Sequence, residues 1–151
     1  MLIGAIGHGC YSVLVDRAHI LVDPLLTPTF LGGTAEPYPR RQIEIGALPP
    51  VDAIFISHSH PGHLEPETLD LMPRDIPVFA PSDPTIEFVM ARMGFALQKV
   101  RPNTVISVGA GSVSFVGTGS GEGYLTAVFD DDDGRCWYLG DRGDFLPMTI
   151  V

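Results

Sequence analysis

The chain has 151 residues and a mass of 16.3 kDa, the size of one domain, and 45% of its residues are hydrophobic, enough to build a core. Nine basic and eighteen acidic side chains give a formal net charge of −9. From the length we expect a single domain over residues 1–151. A net negative charge repels phosphate backbones and anionic membrane surfaces, so we expect this domain to bind neither nucleic acid nor membranes.

The cysteines and the N-terminus indicate the compartment. Cys10 and Cys136 are the only cysteines and lie far apart, so no disulfide framework is predicted. The first residues, MLIGAIGHGCYSVLVD, lack the basic region and cleavage pattern of a signal peptide, and no apolar run is long enough to cross a bilayer. We therefore expect a cytoplasmic protein. On separate grounds, given with the candidate functions below, we expect its substrate to be a small molecule.

The first segment, LIGAIGHGCYSVLVDRAHILVDP, contains three short apolar runs separated by turn residues, which predicts an antiparallel meander. His8 and His19 fall in the predicted turns, and we interpret both as structural or solvated. Asp23 ends the third run before a proline, where its side chain can accept backbone N–H groups, so we interpret it as structural. Residues 24–50 are rich in proline and glycine and predict a long loop.

The middle of the chain predicts alternating strands and helices. The run VDAIFIS is typical of a strand buried on both faces, Pro66 begins a short helix, and IPVFA is another buried strand. DPTIEFVMARMG predicts a helix that is capped by Asp83 and ends at Gly94. ALQKV, TVISV, SVSFVGT, YLTAVFD and RCWYLGD then predict short strands, with residues 130–133 as a solvated turn. The order indicates a mixed α/β protein.

Three of the five histidines lie in SHSHPGHL, directly after the VDAIFIS strand. His58 and His60 are two apart in an extended segment and can present their imidazoles to the same side. Pro61 and Gly62 then turn the chain so that His63 can reach back. Three neutral imidazoles suit zinc or another borderline metal, although the histidines could instead satisfy backbone groups at the strand end without an ion. The HxHxxH spacing at a strand-to-helix junction favours the metal.

Together with HILVDPLL and CWYLGD, the segments VDAIFIS and SHSHPGHL resemble the metallo-β-lactamase superfamily, whose motif is HxHxDH. The resemblance covers essentially the whole chain and implies an αββα sandwich with one or two metal ions at the sheet edges. By this resemblance His58 and His60 match two ligands of the first metal and His63 a ligand of the second. Asp141 matches the carboxylate that bridges both.

The chain departs from the family pattern in three places. Gly62 replaces the aspartate of the motif, so we expect Gly62→Asp to raise the affinity for a second ion if His63 and Asp141 face the same cavity. The segment GTGSGEGY lacks the family's next histidine, and Glu122 is its only ionisable residue, either a ligand or a solvated loop residue. No histidine follows His63, and the chain ends at Val151, so we expect a sandwich that is incomplete at its C-terminus.

These features predict about one ion per chain, zinc or alternatively iron or manganese. An uncovered sheet would further predict a homo-oligomer or a partner chain that completes the fold.

Three functions remain open. The first is a metal-dependent hydrolase of an ester, lactone or phosphate-type substrate. The second is a non-haem iron oxygenase of the diiron β-hydroxylase type, and the third is a noncatalytic binding or assembly domain with a decayed metal site.

Overall fold

The computed structural model describes residues 1–40, 43–118 and 123–141. Within these ranges the chain forms two β-sheets, two α-helices and a short 3₁₀ helix at Ile45–Ala47. The strands are β1 Leu2–Gly7, β2 Cys10–Val15, β3 Ala18–Val22, β4 Ala53–Phe55, β5 Val78–Ala80, β6 Leu97–Lys99, β7 Val105–Val108, β8 Gly111–Gly117, β9 Leu125–Asp131 and β10 Gly134–Tyr138. The α-helices are α1 Pro66–Asp70 and α2 Pro84–Met93.

The first sheet has the strand order β1-β2-β3-β4-β5-β6. Strands β1 to β3 form the predicted antiparallel meander, whereas β3 to β6 pair in parallel. Parallel neighbours need crossover connections, and α1 and α2 lie in two of these connections. The carboxyl ends of β3 and β4 therefore lie at the same edge of the sheet, next to the turn that joins β1 to β2.

The second sheet is antiparallel, with the order β10-β9-β8-β7. The predicted acidic turn is confirmed at Asp132 and Asp133, which are exposed between β9 and β10, whereas Asp130 and Asp131 lie in β9 and pair with β10. The N-terminal ammonium lies 2.9 Å from an Asp131 carboxylate oxygen and 2.8 Å from one of Asp133. These two ion pairs hold the start of the first sheet against the second.

Alternation along the central strands divides the core into two layers. In β3, Leu21 faces the helices, while Ile20 and Val22 face the second sheet. In β4, Ile54 faces the helices and Phe55 faces the second sheet. The helix-side layer includes Leu69 of α1 and Ile86 and Met90 of α2, whereas the layer between the sheets includes Val113, Phe115, Leu125, Ala127 and Phe129. The layers thus follow the order α, β, β, and the predicted metallo-β-lactamase-like α/β fold is confirmed.

Helix α2 begins and ends as predicted. The Asp83 carboxylate accepts the backbone N–H groups of Thr85 and Ile86, at 2.8 and 3.1 Å. Gly94 ends the helix in the left-handed conformation, with φ of 80°. Asp83 also accepts a hydrogen bond from the Ser59 hydroxyl at 3.1 Å, so the cap fixes the start of the histidine segment as well.

His19 differs from its predicted position, because it lies inside β3 and not in a turn. Its ring is buried, one nitrogen lies 2.7 Å from the Ser12 hydroxyl, and the other lies 3.2 and 3.1 Å from the Pro49 and Pro50 carbonyl oxygens. These contacts confirm a structural role, since the ring fastens the end of the long loop to the sheet.

Neither α1 nor α2 has the length and apolar character that a membrane-crossing helix needs. Both helices pack on the first sheet, on the face turned away from the second sheet. Association with a second copy or a partner chain stays a prediction, and light scattering on the purified chain measures it.

Candidate metal centre

The candidate site lies where two parallel strands end. Asp23 follows β3 directly, and Ser57 and His58 follow β4 after one further residue, Ile56. The Asp23 backbone N–H donates to the Phe55 carbonyl oxygen at 2.8 Å, so both chains leave the sheet together. Asp141 reaches the same edge from the second sheet, just beyond β10. Side chains from three segments that are far apart in the sequence are thereby brought to one place.

The Asp23 carboxylate is the buried anchor of the site, with none of its surface exposed. It accepts the Ser57 backbone N–H at 2.7 Å, the Ser57 hydroxyl at 2.5 Å, the His63 Nδ1–H at 2.7 Å and the Tyr138 hydroxyl at 2.5 Å. The predicted backbone hydrogen bond is present. The carboxylate also orients three side chains of the site, a role that the sequence interpretation missed. Burial and the charge of Asp23 raise the pKa of Tyr138, so its phenol stays protonated and donates.

The hydrogen-bond network fixes the protonation of His58. Because the Ser57 hydroxyl donates its proton to the Asp23 carboxylate, it can only accept from His58 Nδ1, at 2.8 Å. The remaining nitrogen, Nε2, therefore carries the bare lone pair. It is buried and has no hydrogen-bond partner among residues 1–40, 43–118 and 123–141. Burial, aided by the nearby His63, lowers the pKa of His58 to about 4, so the ring is neutral at pH 7.

His63 lies between two carboxylates. Its Nδ1 lies 2.7 Å from Asp23, and its Nε2 lies 2.9 Å from Asp141 Oδ2. Burial opposes a charge on this ring, but the hydrogen bond and charge of Asp23, joined by Asp141, outweigh burial and raise the pKa of His63. The same Asp141 oxygen lies 3.9 Å from His58 Nε2. A positive charge is thus favoured at the point where His58 Nε2, His63 Nε2 and Asp141 Oδ2 converge.

This donor set fits a transition metal. Neutral imidazole nitrogens and a carboxylate are the ligands that zinc and iron take in proteins, and metal-binding histidines commonly donate their other N–H to a carboxylate. Asp23, His58 and His63 place one donor atom each within 4.8 Å of one another. Since Asp23 already accepts four hydrogen bonds, we assign it to orienting the ligands. Asp141, whose side chain is 59% exposed, is the carboxylate with room for an ion.

His60 and Glu122 complete the predicted ligands. The His60 ring lies 4.8 Å from the His58 ring, centroid to centroid, but its nitrogens lie 2.7 and 3.0 Å from the Tyr124 hydroxyl. The structure therefore brings the donor atoms of His58, His63 and Asp141 together, while those of His60 face Tyr124. Glu122 lies outside the described residues.

Tyr124 and His8 belong to the site, and the sequence interpretation missed both. The Tyr124 ring stacks on His58 at 4.2 Å with an interplanar angle of 21°, which shields that ring from solvent. His8 occupies the predicted turn, but its ring lies 6.2 Å from the His63 ring. The predicted meander could have placed His8 near the site, because it puts the β1–β2 turn at the same edge of the sheet as the end of β3.

A cavity of about 460 Å³ opens beside this centre, within the range of small-molecule sites. His8, Gly9, Tyr138 and Asp141 are among its lining residues. The exposed side of Asp141 therefore faces a space that a small substrate could enter.

The family model described as the β-lactamase superfamily domain matches residues 18–150. The chain belongs to the β-lactamase superfamily. Its HxHxDH motif is present as HxHxGH, with Gly62 in place of the aspartate. No curated protein sequence matches the chain significantly.

Solved structures agree with the superfamily fold. CmlA, a diiron β-hydroxylase from Streptomyces venezuelae, is 20% identical with a TM-score of 0.69 over 90% of this chain. A metallo-hydrolase from Ignicoccus hospitalis is 19% identical with a TM-score of 0.64 over 95%. An isothiocyanate hydrolase from Delia radicum gut bacteria is 17% identical with a TM-score of 0.67 over 87%. The chain spans 28%, 62% and 59% of the lengths of these three proteins, respectively.

Proposed function

We propose that this member of the β-lactamase superfamily is a metal-dependent hydrolase that acts on an ester, a lactone or a phosphate-type small molecule. The observation that carries the proposal is His58 Nε2, a buried, neutral nitrogen that lacks a hydrogen-bond partner among the described residues and faces Asp141 and His63. A buried polar atom without a partner costs free energy, and a bound cation would remove this cost.

In this proposal His58, His63 and Asp141 hold the ion, and His60 and Glu122 stay candidate ligands. Zinc is our first choice for this donor set, with iron or manganese as alternatives. When bound, such an ion supplies an acidified water and polarises the oxygen of the scissile group. Asp23 and Ser57 keep the imidazoles in the required tautomers, and Asp141 presents its exposed side to the cavity to orient the substrate or a water.

Oxygen chemistry at iron is the second candidate. Two histidines and a carboxylate are also the ligands of non-haem iron oxygenases. The similarity in fold to CmlA, a diiron β-hydroxylase, favours this candidate. The two functions require the same residues but different metals and co-substrates.

We predict that the purified chain carries at most about one tightly bound transition metal, and that His58→Ala lowers this content at least tenfold, because a direct ligand is lost. Elemental analysis measures the content. Asp52→Ala, at the opposite end of β4, is the control and should retain the metal.

Chromogenic ester, lactone and phosphodiester substrates, assayed beside oxygen consumption, separate the candidate reactions. Hydrolysis that His58→Ala abolishes supports the hydrolase. Oxygen uptake with iron, and no hydrolysis, would favour the oxygenase instead. A protein that binds no transition metal would contradict both enzymes and favour the noncatalytic binding or assembly domain.

A further inference from the structure

Position 62 is where the chain lacks the carboxylate of the family motif, and the structure shows what occupies that space. Gly62 is buried and has a φ of 92°, a conformation that other residues rarely adopt. A Cβ atom built on it would lie 2.5 Å from His8 Nε2 and 2.9 Å from His8 Cδ2. A side chain at position 62 and the His8 imidazole would therefore occupy the same volume. The positive φ favours glycine at this position, and any larger residue would also have to displace the His8 ring.

The β1–β2 turn places the His8 ring in the candidate site. His8 has a φ of 53°, and its ring packs on Phe30 with centroids 4.8 Å apart. The next residue, Gly9, lies so close to His63 that an added Cβ would be 2.7 Å from His63 Cε1. Two glycines, one on each side of the contact, thus allow the turn and the histidine segment to approach closely.

His8 also has the right chemistry and faces the right space. It lines the same cavity as Asp141, and its ring centroid lies 6.2 Å from that of His63. An imidazole nitrogen is a good ligand for zinc and related ions. Replacing a carboxylate by an imidazole keeps a donor at this place and removes one negative charge. The change favours zinc over manganese, because manganese prefers oxygen ligands.

We infer that His8 is a metal ligand that supplies, from the β1–β2 turn, the donor that Gly62 does not. This inference rests on the proposed metal-binding function and adds a ligand that lies outside the HxHxDH motif. It also changes the expectation for Gly62→Asp. Aspartate at position 62 would have to displace the His8 ring and adopt a positive φ, so the single substitution would replace one ligand at a cost instead of adding a ligand.

The test compares Zn²⁺ binding by the metal-stripped wild-type chain and its variants in equilibrium dialysis. His8→Asn removes the imidazole but keeps a residue that tolerates positive φ. It should weaken Zn²⁺ binding at least about tenfold, since even the loss of an orienting partner has an effect of this size. With Co²⁺ as a spectroscopic probe, the visible absorption of His8→Asn should differ from that of the wild type. Arg17→Ala, exposed in the β2–β3 turn, is the control and should match the wild type.

A second test exchanges the two side chains, so that position 62 carries a carboxylate and position 8 carries no side chain. Gly62→Asp alone should weaken Zn²⁺ binding, whereas Gly62→Asp combined with His8→Gly should bind more tightly than either single variant. The double variant should also bind Mn²⁺ better relative to Zn²⁺ than the wild type does.

The outcomes separate the two proposals. If the wild type binds Zn²⁺ and His8→Asn binds it equally well with an unchanged Co²⁺ spectrum, His8 is not a ligand, while the proposed metal site stands. If the wild type binds no ion at all, both proposals are overturned.

Discussion

Asp23→Ala is expected to lower the free energy of unfolding by about 3 to 5 kcal/mol, the range for removing one partner of a buried charged network. Ser57, His63 and Tyr138 would each lose the acceptor of a buried hydrogen bond. His63 would also lose the group that fixes its tautomer, and Ser57 would lose the acceptor that directs its hydroxyl toward its contact with His58, so metal affinity should fall by about 10- to 100-fold. Urea denaturation and Zn²⁺ dialysis measure the two effects.

Asp52→Ala is the matched control, because Asp52 is exposed and accepts one backbone N–H, from His19 at 2.8 Å. It should cost about 1 kcal/mol and leave metal affinity unchanged. Asp23→Asn keeps the shape but lacks the charge, so it should fall between wild type and Asp23→Ala in both measurements. Equal stability of the two alanine variants would show that Asp23 is not the anchor of the site.

Phe115→Ala is expected to destabilise the chain by about 3 to 5 kcal/mol, because it removes a buried aromatic ring from the layer between the sheets. Phe115 is 2% exposed, and its ring centroid lies 5.2 Å from that of Phe55 and 6.4 Å from that of Phe79. Both partners belong to the first sheet, so the ring joins the two sheets directly. The midpoint of urea denaturation reports the loss.

Phe88→Ala provides the same chemical change on the surface, since Phe88 of α2 is 70% exposed. It should alter the free energy of unfolding by no more than about 0.5 kcal/mol. Comparable losses in the two variants would mean that the layer between the sheets does not hold them together.

Local patterns were sufficient for the elements and for part of the site. The apolar run ending at Ser57 predicted a strand buried on both faces, and Asp83 and Gly94 predicted the bounds of α2. Strand ends and the family motif also predicted that His58, His63 and Asp141 lie together, as they do, while their role as metal ligands stays a prediction. Each of these predictions needed only neighbouring residues or a known spacing.

The missed residues depend on contacts between distant segments. Asp23 was interpreted as structural because the sequence does not show that its carboxylate meets His63, 40 positions later. His8 was interpreted as structural or solvated because the close approach to Gly62 requires the meander and the histidine segment to be folded together. Tyr124 contacts His58 and His60 only once the second sheet is in place. In each case the information lies in tertiary packing.

The contact between His63 and Asp141 joins residues 78 positions apart, one in the segment that follows β4 of the first sheet and the other just beyond β10 of the second. The centre therefore does not exist until the second sheet has docked on the first, and contacts of such long range form slowly because the intervening chain must first be ordered. An ion that binds only the docked state stabilises that state by mass action. Metal availability would then set how long the two sheets stay together, and so how resistant the chain is to a protease that cuts the separated form.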